Sequence, residues 1–329
     1  MARIYYDADT KLGPLLKKKV AVLGYGSQGR AHALNLRDSG VKVVVGLRKG
    51  GPSWMAAVSD GFRPKEVSKA CREAEVIMVL LPDTAHKDVY EKEVAPSLKA
   101  GKAIAFAHGY SIRFGLVKPP KDVDVFMVAP KSPGIRVRET YSQGFGVPAL
   151  VAVQQDATGK AKDLALAYAK AIGATRAGAL ETTFTEETET DLFGEQAVLV
   201  GGVMSLIEKG YEVLTEAGYQ HESAYFEVCN ELKLIMDMIY RGGFEGMLRS
   251  VSSTAKYGGL TRGYVIVDDH VKANMKKALK DIQDGTFAGE WTGDMGTSLK
   301  RLDALMEEMK AKDIERVGKS VRRLAGVEK

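Results

Sequence analysis

Cysteine is nearly absent. Cys71 and Cys229 are the two in 329 residues, too few for a disulfide framework or a thiolate zinc site. Neither sign of charge dominates: 47 Lys and Arg against 42 Asp and Glu leave a formal +5, too small and too interspersed to argue for nucleic acid. It would suit a site for small anionic ligands. Long hydrophobic runs are missing, since stretches such as Val76 to Leu81 fall far short of the ~20 residues that span a bilayer. The opening MARIYYDADT has no apolar core of the kind a secretory signal needs. A reducing cytoplasm is the expected setting, with no membrane and no nucleic-acid partner. Low-complexity tracts and fixed-period repeats are lacking too. Hydrophobic content of 45% and charged content of 27% exclude a disordered chain. The length predicts two domains, at ~150 residues each.

The two halves differ in texture. In the first, Lys19–Leu23, Val41–Gly46, Val76–Leu81, Ala103–Ala107, Val123–Ala129 and Pro148–Val153 read as strands, and Gln28–Asp38 and Thr158–Ile172 as helices. Continuous apolar strands separated by helices imply a parallel sheet covered on both faces. Past about Thr182 the strand-like runs vanish. Stretches rich in Glu, Leu, Met, Ala and Lys, jointed at Gly218, Gly242–Gly243 and Gly258–Gly259, read as all-helical. The expected division is 1–182 for an α/β, dinucleotide-binding domain of Rossmann type and 183–329 for an all-α domain, with the boundary near Ala179–Phe184.

Strand Lys19–Leu23 runs into Gly24-Tyr25-Gly26-Ser27-Gln28-Gly29 and then a helix. This is G-x-G-x-x-G in its proper context. The first glycine permits the tight turn, the second lets backbone amides approach a pyrophosphate, and the third lets helix and strand pack closely. The end of the second strand selects the cofactor. An NAD reader carries Asp or Glu there; this chain has Gly46-Leu47-Arg48-Lys49-Gly50-Gly51-Pro52-Ser53, two cations and a hydroxyl suited to the 2′-phosphate of NADP. A solvated basic loop is the bland alternative. Three later strand ends border the same crevice: Asp83-Thr84-Ala85-His86, Ala107-His108-Gly109, and Ala129-Pro130-Lys131-Ser132-Pro133-Gly134. Taken singly, a His or a Lys here is more often structural than catalytic. Their shared location beside a cofactor reverses that expectation.

The helical half holds two carboxylate pairs at i,i+4: Asp191 with Glu195, and Glu227 with Glu231. At roughly 100° per residue each pair shares one helix face. Those faces continue as Val198, Leu199 and Gly202, and as Leu234, Ile235 and Met238, so the carboxylates head apolar stripes. Four carboxylates drawn into a partly buried place need raised pKa values, basic partners or a metal. An all-oxygen set favours a hard cation such as Mg²⁺. Solvated helix faces and a paired acid/base site are the alternatives that periodicity leaves open.

Together, GYGSQG at 24–29, LLPD at 80–83, AHG at 107–109, APKSPG at 129–134, ETDLFGEQAVL at 189–199 and YFEVCNELKLI at 225–235 resemble ketol-acid reductoisomerase, also called acetohydroxy-acid isomeroreductase. The likeness extends to GTFAGEW at 285–291 and IERVGKSVR at 314–322, and the length matches the short form with one helical domain of the knotted type. The resemblance implies an NADP-dependent enzyme of valine, leucine and isoleucine biosynthesis that acts on 2-acetolactate or 2-aceto-2-hydroxybutyrate. It implies two Mg²⁺ held by Asp191 and Glu195 with Glu227 and Glu231, the second pair coming from the neighbouring subunit of an intertwined dimer. By the same resemblance His108, Lys131 and Glu195 are catalytic, and Ser252 contacts substrate. Gly24, Tyr25, Gly26, Ser27, Gln28, Gly29, Arg48, Ser53, Asp83, Thr84, Ala85, His86 and Gly134 bind the cofactor. Arg30, Ser132, Asn230 and Lys256 depart from the family's usual residues. A metal-independent NADP-linked β-hydroxy-acid dehydrogenase, which also joins a Rossmann half to a helical half, is the competing expectation.

Overall fold

In strand β2 (Lys19–Leu23), four successive residues from Val20 to Leu23 are fully buried. Alternate side chains feed two separate cores: Val20 and Val22 join Val45, Met78, Ala105 and Phe126 on one face, while Ala21 and Leu23 join Val44, Ile77, Ile104 and Met127 on the other. A strand sealed on both sides can be apolar throughout, which is why the sequence reads as runs rather than alternation. The structure is a computed structural model that describes residues 2–328. Two compact units make up the chain, Met1–Thr190 and Asp191–Lys329, and the division falls inside helix Phe184–Gly194.

The first unit holds β1 (Ile4–Tyr5), β2, β3 (Lys42–Gly46), β4 (Val76–Val79), β5 (Ala103–Phe106), β6 (Asp124–Pro130), β7 (Ala149–Gln155) and β8 (Ala179–Glu181), in the spatial order β1-β8-β7-β6-β5-β4-β2-β3. The sheet is mostly parallel, as expected. Pairings β6 with β7 and β1 with β8 are antiparallel exceptions. The reason for the first lies in its connection. Pro130 pairs with Ala149, and the Lys131 amide donates to the Pro148 carbonyl at 2.9 Å, so the chain leaves β6 and enters β7 at the same end of the sheet. Helix Gly134–Ser142 between them is an excursion, not a crossover. From β2 the chain passes to β3 on one side and later to β4 on the other. That reversal of strand order opens the crevice where such sheets bind ligands.

The second unit is helical, with no strand among the described residues. Its core is small, built from Tyr211, Ala224, Tyr225, Ile314, Val317 and Val321. One carboxylate ties three helices together there: Asp313 accepts from the Tyr211 hydroxyl at 2.5 Å and bonds His221 Nδ1 at 2.6 Å. The Tyr211 hydrogen bond, with help from Arg316 and His221, holds the Asp313 carboxyl at about 2. Much apolar surface stays bare, including Tyr240 at 90%, Tyr264 at 80% and Phe244 at 74% exposure. Among the described residues, no helix is long and apolar enough to cross a membrane.

Candidate functional site

Where β2 ends, the backbone turns at Gly24 with φ +96°, and a Cβ there would lie 2.3 Å from the carbonyl oxygen of Leu80, just past the end of β4. A Cβ on Gly29 would lie 2.3 Å from the Gly24 carbonyl oxygen. These two glycines are demanded by the protein's own packing. Gly26 differs: a Cβ there meets nothing within 4 Å, so packing does not exclude a side chain and the space stays open for a ligand. Helix Ser27–Asp38 starts directly behind it, with no side chain capping its N-terminus. First-turn amides and the positive end of the helix dipole are therefore available to an anion. The result is a cleft of about 730 Å³ lined by Gly24 to Gly29 with Arg48, Ser53, Asp83, His86 and His108. Its fit to a dinucleotide phosphate is good: a glycine-made cradle at one end, and an exposed guanidinium with a helix-start hydroxyl at the other.

Three residues read as cofactor contacts form a seam within the protein. A Cβ on Gly134 would lie 2.2 Å from the Ser27 backbone. The Ile135 amide donates to Ser27 Oγ at 3.1 Å, and Gln28 Nε2 donates to the Ser132 carbonyl at 2.8 Å. The β6 loop thereby braces the phosphate loop from behind. Gly134, Thr84 and Ala85 do not line the cleft.

His86 borders the cleft but is 5% exposed, and both ring nitrogens are engaged. Nε2 lies 2.9 Å from the Leu81 carbonyl, which can only accept, so Nε2 carries the proton. Nδ1, at 2.6 Å from Ser111 Oγ, then accepts from that hydroxyl. Burial pushes the ring's pKa below its ordinary value, with Asp83 opposing. A neutral histidine in this state braces the β4 loop.

The side chain that organises the strand ends was not among the sequence-read candidates. Glu187, on helix Phe184–Gly194, is 1% exposed. It bonds His108 Nδ1 at 3.1 Å, accepts the Gly109 amide at 2.9 Å, and accepts Lys131 Nζ at 3.0 Å. Burial raises its pKa, yet the His108 hydrogen bond, the His108 and Lys131 charges and the Gly109 amide outweigh that and hold it below the usual carboxylate value. His108 and Lys131, from the ends of β5 and β6, thus converge on one buried anion. The signal for Glu187 was present: Glu187, Asp191 and Glu195 form an unbroken i, i+4, i+8 row.

Within the single chain the carboxylates are more exposed than the apolar stripes they head imply. Asp191 is half-buried, whereas Glu195, Glu227 and Glu231 are exposed in the single chain, and so are Val198, Leu199 and Leu234 on the stripes they head. Among the described residues, the four do not gather into one cluster. The physical reason is that no described residue covers those stripes. Both motifs also coincide with widened turns. The Val200 amide donates to the Glu195 carbonyl and the Glu231 amide to the Phe226 carbonyl, five residues back in each case. Such π-turns cost regular hydrogen bonding and are concentrated at functional sites. Ser252 is exposed, and its hydroxyl caps helix Ser253–Ile266 by accepting the Ala255 amide at 3.1 Å.

Comparison with known proteins agrees along the whole chain. Residues 14–178 match the family described as acetohydroxy acid isomeroreductase, NADPH-binding domain, and residues 184–326 match ketol-acid reductoisomerase, C-terminal domain. A ketol-acid reductoisomerase (NADP(+)) of Pyrobaculum aerophilum is 57% identical over 324 residues, 98% of this chain and 99% of its own. Its counterpart in Pyrococcus abyssi is 54% identical over 329 residues, 100% of this chain and 99% of its own. A solved NADH-preferring ketol-acid reductoisomerase from an uncultured archean superposes with a TM-score of 0.94 at 46% identity, covering 98% of this chain and 99% of that one.

Proposed function

The chain belongs to the ketol-acid reductoisomerase family, and from that premise we propose that it converts 2-acetolactate or 2-aceto-2-hydroxybutyrate to the 2,3-dihydroxy acid in branched-chain amino-acid biosynthesis. Its first unit is an NADPH-binding domain and its activity is that of an oxidoreductase. The reaction has two stages: an alkyl group moves between adjacent carbons, and the new ketone is then reduced. When bound, NADPH supplies the hydride, and Mg²⁺ supplies the Lewis acidity that lets the hydroxyl lose its proton beside a polarised carbonyl. Arg48 and Ser53 would receive the 2′-phosphate, and the Gly24–Gly29 loop the pyrophosphate. Asp191 and Glu195 would hold metal, completed by Glu227 and Glu231 of a second copy; hard carboxylate oxygens suit that ion. Ser252 would reach the substrate from the same second copy. Two unpaired thiols, Cys71 and Cys229, accord with a cytoplasmic location.

The observation that carries the reading is the buried Glu187 joined to both His108 and Lys131. Glu187 pairs with and orients the Lys131 ammonium, which can stabilise oxyanion charge as the ketone is reduced and deliver a proton to it. The His108 Nδ1–H bond to Glu187 fixes the ring's tautomer and directs its Nε2 lone pair elsewhere. Glu195 is the base we assign to the first stage. The test follows NADPH absorbance with racemic 2-acetolactate, with and without Mg²⁺. Oxidation that needs Mg²⁺ and stops with chelator supports the reading. NADPH oxidation coupled to reduction of a β-hydroxy-acid's keto partner, and indifferent to chelator, would replace it with a metal-independent dehydrogenase.

A further inference from the structure

Arg30, a departure noted in the sequence, has a defined partner. Its Nε donates to Asp60 Oδ2 at 2.6 Å and its Nη2 to Asp60 Oδ1 at 2.9 Å. The hydroxyl of Tyr25, the residue between the first two glycines of the phosphate loop, donates to the same Oδ2 at 2.9 Å. Arg37 Nη1 donates to the Asp60 carbonyl at 2.6 Å. Tyr25 is buried against the edge of Phe62, just past Asp60. Asp60 is the residue that ends helix Pro52–Ser59, and a carboxylate at a helix C-terminus faces the wrong end of the dipole. An ion pair as exposed as Arg30 also adds little to stability. The arrangement has a different consequence. Helix Pro52–Ser59 begins at the cleft beside Ser53 and ends on Asp60; Asp60 itself is not part of the cleft lining. The two ends are roughly 10 Å apart along the axis.

We propose that Asp60 is a positioning residue for the cofactor. By accepting from Tyr25 and Arg30 at once, it locks the pyrophosphate loop and the 2′-phosphate-reading helix into one arrangement before the dinucleotide arrives. The inference rests on the reading of the cleft as the NADPH site and adds a determinant of affinity that lies outside it. The charged and titratable groups acting on Asp60 are Arg30, Tyr25 and Arg37. An arginine is cationic at every working pH, so the brace is insensitive to pH as built; a histidine at position 30 makes it titratable.

The experiment titrates NADPH onto the purified full-length protein by fluorescence, in parallel with steady-state kinetics. Asp60→Asn is expected to weaken Kd and raise KM for NADPH by about tenfold, with kcat at saturating cofactor within about twofold of wild type. Asp60→Glu recovers most of the loss. For Arg30→His, the ratio of its Kd to the wild-type Kd at the same pH cancels titration of the cofactor's own phosphate. That ratio should be near one at pH 6 and about five at pH 8.5. Equal Kd for wild type and Asp60→Asn overturns the brace. Should Asp60→Asn fail to fold, a flat Arg30→His ratio across pH overturns it instead. Absence of saturable NADPH binding by wild type overturns the reading of the cleft and the brace with it.

Discussion

Glu187 is the residue whose chemistry is most constrained. It sits almost wholly buried with three donors on it, and a buried carboxylate survives only where such donors repay its desolvation. Glu187→Gln keeps the shape and removes the charge that holds Lys131 and His108. We expect kcat to fall at least about a hundredfold, with NADPH Kd within about twofold of wild type; a kcat within threefold of wild type would remove Glu187 from the mechanism. His86 makes the converse case, a titratable ring kept neutral. Its folded pKa lies below its ordinary value because of burial, so the unfolded chain takes up a proton that the folded chain refuses. The stability it contributes is complete above about pH 6.5 and declines as pH falls below it. Nitrogen-resolved NMR should find the Nε2–H tautomer at pH 6, and a ring half-protonated at or above pH 6.5 would contradict the assignment.

Among the elements, the strands were legible because burial on both faces wrote them as unbroken apolar runs. β2 was read to the residue, and β3 to β7 within a few residues at each end. β1 and β8 were not, since two or three residues paired at a sheet edge leave no periodic signal. The direction of β7 was not legible either, because it depends on where the intervening helix deposits the chain. The carboxylate pairs were found by regular helical spacing, but spacing alone is blind to the extra residue that makes the turns at Glu195 and Phe226 π-helical. Their exposure in the single chain was not legible, because no described residue covers the stripes they head. The first widened turn explains a glycine: a Cβ on Gly202 would lie 2.1 Å from the Ala197 carbonyl oxygen, five residues back. Gly202→Ala should lower Tm by about 4 °C or more. Deleting Val200 removes the extra residue, so regular winding should return with the downstream face nearly unrotated while the widened turn beside Glu195 closes, with far-UV helicity kept and turnover lost. Full activity in the deletion variant would mean that the π-turn does not set the carboxylate geometry.

At the scale of the molecule, the helical unit buries little of its apolar surface within one chain. Its buried core is a handful of side chains, while aromatic residues such as Tyr240, Phe244 and Tyr264 face outward, and exposed apolar surface of this kind commonly marks a contact face. If a second copy covers it and supplies the other carboxylate pair, two dead variants can rescue each other. Glu195→Gln and Glu227→Gln should each be inactive alone. Co-expressed, random pairing gives half mixed dimers, each with one intact site of two, so about a quarter of wild-type activity should return. No rescue would mean that both pairs belong to one chain. The bare aromatic faces also bear on how the protein is made. If a second copy is the cover, a chain fresh from the ribosome carries its stickiest surface bare until it meets another, and in that interval it is a natural client for chaperones. Refolding yield should therefore peak at intermediate protein concentration: too dilute and the faces never meet, too crowded and they meet in the wrong order.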